Sequence, residues 1–533
     1  MAPRRLATSA AATTAAVLAV VTLSGAFPLP ASRQRADMTC EPAVMDMYAL
    51  PSTRLDVLNP WLTADVAAMA FANASALDPA DCHPDHDILV PCYTTPGVGS
   101  GLARLADGTY VGLTDRGPNQ DCEDLAEADP ERHAAAEGKD GKGFYLPTFS
   151  PTLIYFNLTA DGKMRMTKAV PLRGSAGERV TGLSNTDRDD TPYGANCVGE
   201  PLALDVGGVD PEDVAPIPGT DLLAVVEEYS PSVMVVHGRT GVIQARYVPA
   251  SIAPMLAGAP YPVVGSLPSV FADRRKNRGF ESLSVAPSGS HLFAILQSPL
   301  GDKKADGLKT TAVVRAVKMR IDVTSRSAAT LTYDSQFALE ASLPAAWTAA
   351  KKQPVKPTKV KLSAAVALSD DAFVLLERAP DQVLLYRVDV TAATTNLDAT
   401  AYANGTDLEL QTAGRMRAAA FGVTPAAKRL LWNSAVTPSW DGVEQQEGLA
   451  LDDNGRLLVI SDNDFGIEDG QTIVRRVDLG RGLSGCDVCP ADAPTMAAGN
   501  VATGRCGSDP VSGGVGGTPA MPGCTSWGSL NRI

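Results

Sequence analysis

The chain has 533 residues, 45% hydrophobic and 20% charged, enough to bury one large core or several ordinary ones. Asp and Glu number 60 against 46 Lys and Arg, a formal charge of −14; nucleic-acid binding wants the opposite balance, and an anionic membrane surface would repel this chain. Aromatic residues at 5% make no base-stacking platform, and fibrous and wholly disordered classes are excluded by composition.

Taken in chain order, residues 1–26 read as a signal peptide. Arg4 and Arg5 give a basic start, Ala15 to Leu23 a short apolar run, and Ser24-Gly25-Ala26 a small-residue cleavage site. The run is shorter than the roughly 20 apolar residues of a span, and no later stretch reaches that length. The expectation is a secreted protein with no membrane span. All nine cysteines follow this segment: Cys40, Cys82, Cys92, Cys122, Cys197, Cys486, Cys489, Cys506 and Cys524. In an exported chain they read as disulfides. The alternative for the last four, with the spacing Cys486-x-x-Cys489, is a zinc knuckle. An odd count leaves one thiol free or joined to another chain. His83 and His86 lie between Cys82 and Cys92 and read as a polar disulfide loop rather than a ligand pair. Asn73, Asn157 and Asn404 each head a glycosylation acceptor triplet.

Long amphipathic helical periodicity is scarce beyond this point. Short apolar runs bounded by Gly, Asp, Asn and Pro dominate, which is the all-β pattern. Five hairpin-like copies recur. They are G-L-A-R-L-A-D-G-T-Y-V-G-L-T-D ending at Asp115, E-D-V-A-P-I-P-G-T-D-L-L-A-V-V-E from Glu212 to Glu227, E-S-L-S-V-A-P-S-G-S-H-L-F-A-I-L-Q from Glu281 to Gln297, S-A-A-V-A-L-S-D-D-A-F-V-L-L-E ending at Glu377, and E-G-L-A-L-D-D-N-G-R-L-L-V-I-S-D from Glu447 to Asp462. Asp107-Gly108, Pro218-Gly219, Ser288-Gly289 and Asn454-Gly455 supply turn chemistry. The strand ends Asp115, Glu227, Gln297, Glu377 and Asp462 fall 112, 70, 80 and 85 residues apart. A bare propeller blade takes roughly 40–50 residues. The spacing therefore predicts a β-propeller with decorated loops over about residues 45–485, with two blades in the first interval and about six in all. A β-sandwich with chance hairpin similarity is the alternative. Residues 120–142 read as an inserted helix or a solvated loop, 344–361 as a surface insertion, and 486–533 as a Cys-, Gly- and Pro-rich extension.

A hairpin sets the start of its first strand beside the end of its second. Arranged around one axis, the copies would bring Asp115, Glu212, Glu227, Glu281, Glu377, Glu447 and Asp462 to one mouth, with Asn463 and Asp464 added. Clustered carboxylates resist joint ionisation unless a cation or arginines accompany them. Arg116 follows Asp115, Arg378 follows Glu377, and Arg278 precedes Glu281. Many hard oxygen ligands and only five histidines favour calcium over zinc or copper. At any one position the carboxylate also serves simply to solvate a loop or cap a turn.

An ordered set of motifs adds a resemblance. These are T-D-R-G-P-N (Thr114 to Asn119), D-P-E-D (Asp210 to Asp213), E-E-Y-S-P-S (Glu227 to Ser232), R-G-F-E-S-L (Arg278 to Leu283), L-Q-S-P-L (Leu296 to Leu300), L-L-E-R (Leu375 to Arg378), E-G-L-A (Glu447 to Ala450) and S-D-N-D-F (Ser461 to Phe465). Over about residues 90–480 the chain resembles the phytase-like family described as having esterase-like activity. The resemblance implies a secreted, propeller-like protein linked to phosphoric-ester hydrolysis. Neither a G-x-S-x-G elbow nor an R-H-G-x-R-x-P motif is present, so a covalent serine or histidine route has no support. The remaining route is metal-assisted. Asp115, Glu212, Glu281, Glu377, Asp462 and Asp464 would hold Ca²⁺. Arg116, Arg278 and Arg378 would neutralise a phosphoryl group, and Glu227 or Glu447 would be the general base. The expected partner is a small anionic substrate, a phosphate ester. Two other readings stay open: a non-catalytic calcium- and ligand-binding propeller, and a propeller lactonase or sugar-ester hydrolase. No feature of the sequence sets an oligomeric state.

Overall fold

Each of the five hairpin copies folds as two adjacent antiparallel strands, and each pair begins a larger sheet. The computed structural model describes residues 43–51 and 96–479, apart from 129–133, 303–307, 343–345, 348–354, 381, 413–416, 438, 441–444 and 467–470. The signal peptide, His83, His86, Asn73, Cys40, Cys82, Cys92, the four C-terminal cysteines, most of the 344–361 insertion and the 486–533 extension lie outside the described residues.

In chain order the strands are β1 (Ala43–Ala49), β2 (Gly101–Arg104), β3 (Tyr110–Leu113) and β4 (Asn119–Asp121), then the helix α1 (Cys122–Ala128) and β5 (Lys142–Phe144), β6 (Thr152–Leu158), β7 (Met164–Pro171) and β8 (Pro192–Gly194). Next come β9 (Pro211–Pro216), β10 (Leu222–Glu227), β11 (Ser232–His237), β12 (Ile243–Pro249) and β13 (Val263–Leu267). β14 (Phe280–Val285), β15 (His291–Leu296), β16 (Val313–Ser325) and β17 (Ala328–Glu340) follow. The last are β18 (Lys361–Ser369), β19 (Ala372–Ala379), β20 (Gln382–Asp389), β21 (Ala427–Asn433), β22 (Gln446–Leu451), β23 (Leu457–Ser461) and β24 (Ile473–Asp478). The protein is nearly all β.

The sheets run β2-β3-β6-β7, β9-β10-β11-β12 with β13 added in parallel, β14-β15-β16-β17, β18-β19-β20-β21, and β22-β23-β24-β1. The last joins both ends of the described chain, with Ala43 opposite Asp478 and Ala49 opposite Ile473. β2 packs beside β9 and β22, β9 beside β14, β14 beside β18, and β18 beside β22, so the first strands touch in cyclic order. Among the described residues there are five such sheets rather than about six. The long first interval holds β6, β7 and a separate three-stranded sheet, β4-β5-β8. α1 is the helix foreseen in 120–142, and Cys122 at its start is disulfide-bonded to Cys197 beyond β8.

Alternation with period two explains the burial. Second strands such as β10 and β15 are buried along their whole length because sheets cover both faces. Phe293 of β15 packs on Phe337 of its own sheet and Phe373 of the next, at 5.6 and 5.7 Å between ring centroids, contacts worth about 0.5–1.5 kcal/mol each beyond area burial. The β22–β23 turn needs a left-handed residue, and Gly455 supplies it at φ 73°. At the centre, the buried Asp213 of β9 accepts from its neighbour Val214 N–H at 2.8 Å, from Leu283 N–H of β14 at 2.8 Å and from Ala365 N–H of β18 at 3.4 Å. One carboxylate thus ties three first strands together.

Candidate functional site

The functional side chains sit where first strands begin and second strands end. Asp115 and Arg116 follow β3, Asp210 precedes β9 and Glu212 lies within it. Glu228 follows β10, Arg278 precedes β14, and Glu281 lies in β14. Lys361 opens β18, Arg378 is near the end of β19, Glu447 is in β22, and Asp462 and Asp464 follow β23. A Cβ at position 279 would lie 2.1 Å from the Glu228 carbonyl oxygen, so glycine is what lets the Arg278 segment close on Glu228.

Asp210, Glu212 and Glu228 each offer a carboxylate oxygen, and these oxygens lie within 4.8 Å of one another. All three side chains are buried. Burial, then Glu281 and Asp210, drives the Glu212 carboxyl well above the usual range. Burial raises Asp210 likewise, against the pull of Arg116. Glu281 rises through burial and Glu228, and its Oε2 is buried with no hydrogen-bond donor. Across the mouth, burial pushes Asp115 up to about 7 and Asp462 up to about 8, and Asp464 adds to both. Burial and mutual repulsion thus raise these carboxyls together.

The cations divide into two kinds. Arg116 faces carboxylates: its Nε lies 3.1 Å from Asp210, and Nη2 is 3.3 Å from Glu228 and donates to Asn277 Oδ1 at 2.6 Å. Arg378 donates to Ser363 Oγ and Gln445 Oε1 at 2.9 Å, pairs closely with Glu447, and lies 3.9 Å from Glu281. Gln445 passes the link on to Asp464 Oδ2 at 2.6 Å. Arg278 donates to Gln297 Oε1 at 2.6 Å.

Of the residues expected at the mouth, Asp115, Glu212, Glu281, Glu447, Asp462, Asp464, Arg116, Arg278 and Arg378 are brought together. Glu227 and Glu377 are not. Glu227 accepts from Asp210 N–H at 3.0 Å on one oxygen, and from Ser232 Oγ at 2.9 Å and the buried Arg246 at 2.7 Å on the other. Burial holds it up at about 8 despite Arg246. Glu377 accepts from Ser342 N–H at 2.9 Å and pairs with Lys428 of β21. Both turn into their own sheets because strand neighbours alternate, which sends Glu228 and Arg378 to the mouth in their place. Glu227 as general base and Glu377 as metal ligand are therefore corrected to partners of the buried Arg246 and the half-buried Lys428.

Sequence reasoning missed Asp210, Glu228 and Lys361. The period-two rule would have found them: Asp210 shares a face with Glu212, Glu228 is one step from Glu227, and Lys361 stands opposite Arg378. The non-glycine residues with left-handed backbone among those described are Cys197, Ser230, Asn277, Gln445, Asp464 and Phe465. All but Cys197 flank the mouth, the kind of local strain that collects at functional sites. A surface hollow of about 480 Å³ is lined by Glu340, Tyr386, Arg417 and Lys428 among others and shares no residue with the mouth.

The sequence profile of the family described as "Phytase-like: Esterase-like activity of phytase" matches residues 95–465. Among solved structures, the PQQ-bound aldose sugar dehydrogenase from Streptomyces coelicolor is 11% identical, with 72% of this chain and 96% of that one covered and a TM-score of 0.29. A periplasmic gluconolactonase from Pseudomonas aeruginosa is 12% identical over 74% and 92%, at a TM-score of 0.25. Regucalcin, a calcium-binding protein from Agrobacterium tumefaciens, is 12% identical over 72% and 92%, at 0.26. No curated protein matches the chain.

Proposed function

From a chain that belongs to the phytase-like family over residues 95–465, we propose a Ca²⁺-dependent hydrolase of phosphoric esters whose site is the mouth ringed by the five first strands. The fold we take to be a five-bladed propeller, closed where β1 joins β24. One observation carries the functional reading: a buried carboxylate group, Asp210, Glu212 and Glu228, shares a mouth with Arg278 and Arg378.

The residues fit calcium. Their donors are carboxylate oxygens only, close enough to share one ion, and Glu281 Oε2 adds a buried acceptor lacking a donor. Asp115, Asp462 and Asp464 interact with one another at the same mouth and add negative charge to it. A bound Ca²⁺ would neutralise these carboxylates and polarise a phosphoryl oxygen. Arg278 and Arg378 hold the phosphoryl group by charge-assisted hydrogen bonds. With both Glu227 oxygens occupied, the base is Glu447. It takes a proton from the attacking water as the new P–O bond forms and the ester P–O bond breaks; the departing alkoxide takes a proton from solvent water and leaves as the alcohol, and Glu447 returns its proton to solvent. Arg378, paired with Glu447, orients that carboxylate.

Secretion belongs to the same proposal. Its support is the Cys122–Cys197 disulfide and the exposure of Asn157 and Asn404. The deciding experiment is a panel of inositol phosphates, phosphomonoesters, phosphodiesters, acyl esters and lactones, with and without chelator. Phosphate-ester turnover that chelator abolishes and Ca²⁺ restores is expected. Turnover of lactones alone, or Ca²⁺ binding with no turnover, overturns the reading.

A further inference from the structure

Lys361 is a mouth cation that neither motif nor repeat pointed to. Its backbone stands directly opposite Arg378 across the β18–β19 ladder. Directly opposed residues of an antiparallel pair share a face, and like charges so placed repel. A third cation joins them through Gln297. The Gln297 carbonyl accepts from Leu362 N–H at 3.0 Å, one residue past Lys361, while its side chain holds Arg278 Nη1 at 2.6 Å. Arg278 and the β18 end that carries Lys361 are thus joined through one glutamine, and both Arg378 and Arg278 act electrostatically on Lys361.

Their anionic partners do not match this concentration. Arg378 has Glu447, with Glu281 at 3.9 Å. Among the described residues, no carboxylate lies within 4.0 Å of Arg278 or Lys361, and the Lys361 ammonium makes no hydrogen bond; Glu281 and Glu228 act on it only from farther away. Burial, then Arg378 and Arg278, pushes the Lys361 ammonium well below the usual lysine range. An unpaired, half-buried amine between two guanidiniums is costly unless something anionic comes to it.

We propose that Arg278, Lys361 and Arg378 form an oxyanion pocket that binds the phosphoryl group of a phosphate monoester, and that Lys361 completes it. The ester rests on the hydrolase reading above; the pocket itself needs only the geometry. A phosphoryl group presents three non-bridging oxygens, one for each cation, whereas a carboxylate presents two. Arg116 is no part of the pocket, because its guanidinium lies against Asp210 and Glu228, two of the carboxylates proposed to hold the cation.

Isothermal titration calorimetry of inorganic phosphate into the chelator-treated full-length protein tests the pocket, with acetate as the two-oxygen comparison. Phosphate should bind more tightly than acetate. Lys361→Met should weaken phosphate about ten-fold, the loss of one charge-assisted hydrogen bond, and Lys361→Arg should stay near wild type. Thermal melts show whether each variant is folded; if Lys361→Met is not, Arg278→Met carries the same expectation. Wild type that binds no phosphate, a folded Lys361→Met that binds as wild type does, or acetate binding as tightly as phosphate overturns the pocket. Phosphate binding without hydrolysis of any phosphate ester leaves the pocket standing and removes only the hydrolase reading.

Discussion

Glu227 and Glu228 are adjacent, chemically identical and opposite in role. Glu227 faces the interior of its sheet and neutralises Arg246, which is itself fully buried; Glu228 faces the mouth and joins Asp210 and Glu212. Glu227→Gln should therefore act on stability. It puts an amide NH₂ where a carboxyl oxygen accepts from Ser232 and the buried Arg246, and should cost about 1–3 kcal/mol in denaturant unfolding, while the folded fraction keeps its Ca²⁺ affinity. Glu228→Gln should do the reverse, with little change in unfolding midpoint and at least about a ten-fold loss of Ca²⁺ affinity by calorimetry. Equal effects of the two variants on Ca²⁺ binding would remove the distinction.

At the scale of elements, the first interval shows how an insertion is secured. β4, β5 and β8 make a small sheet with short strands and little core of its own. The Cys122–Cys197 bond closes a separation of 75 residues around it. Cross-linking a loop of that length is worth about 4 kcal/mol in the chain-entropy picture. The module also reaches the mouth, since Lys142 of β5 acts on both Asp115 and Asp190. Replacing both cysteines by alanine should lower stability by about 2–4 kcal/mol, measured as a shift in denaturation midpoint. An unchanged midpoint would mean that the sheet is held by packing alone.

For the whole molecule, the concentration of buried carboxylates at one mouth makes stability depend on pH and on cation. Asp115 is raised from 3.8 to about 7 and Asp462 from 3.8 to about 8. In the folded chain these groups keep protons that the unfolded chain has already lost. Their stabilising contribution is complete below pH about 4 and disappears as pH rises through 7 and 8. Chelated protein should therefore melt several degrees lower at pH 8 than at pH 5. Ca²⁺, binding the ionised form in the folded state only, should reverse that loss and raise the melting temperature more at pH 8 than at pH 5. A calcium effect of equal size at both values would contradict the assignment of these carboxylates.

The local pattern by itself determined the strands, the turns and the repeat. Every one of the five hairpin copies is a real strand pair, with glycine at the turn where a left-handed residue is needed, because alternation and turn chemistry act over a few residues. It also placed most of the mouth, since equivalent strand ends come to equivalent positions. What it did not determine was which face each terminal residue takes. Shifting one residue along a strand exchanges interior for mouth, and whether Glu227 or Glu228 faces inward depends on Arg246, which lies two strands away in β12. The number of sheets was likewise decided in three dimensions. The 112-residue interval is long enough for a blade, and only the pairing of β4 with β5 and β8 shows the small sheet it holds. Lys361 was hidden for the same reason: its meaning comes from Arg378 across the ladder and from Arg278 through Gln297, and such neighbours exist only once the sheets are assembled.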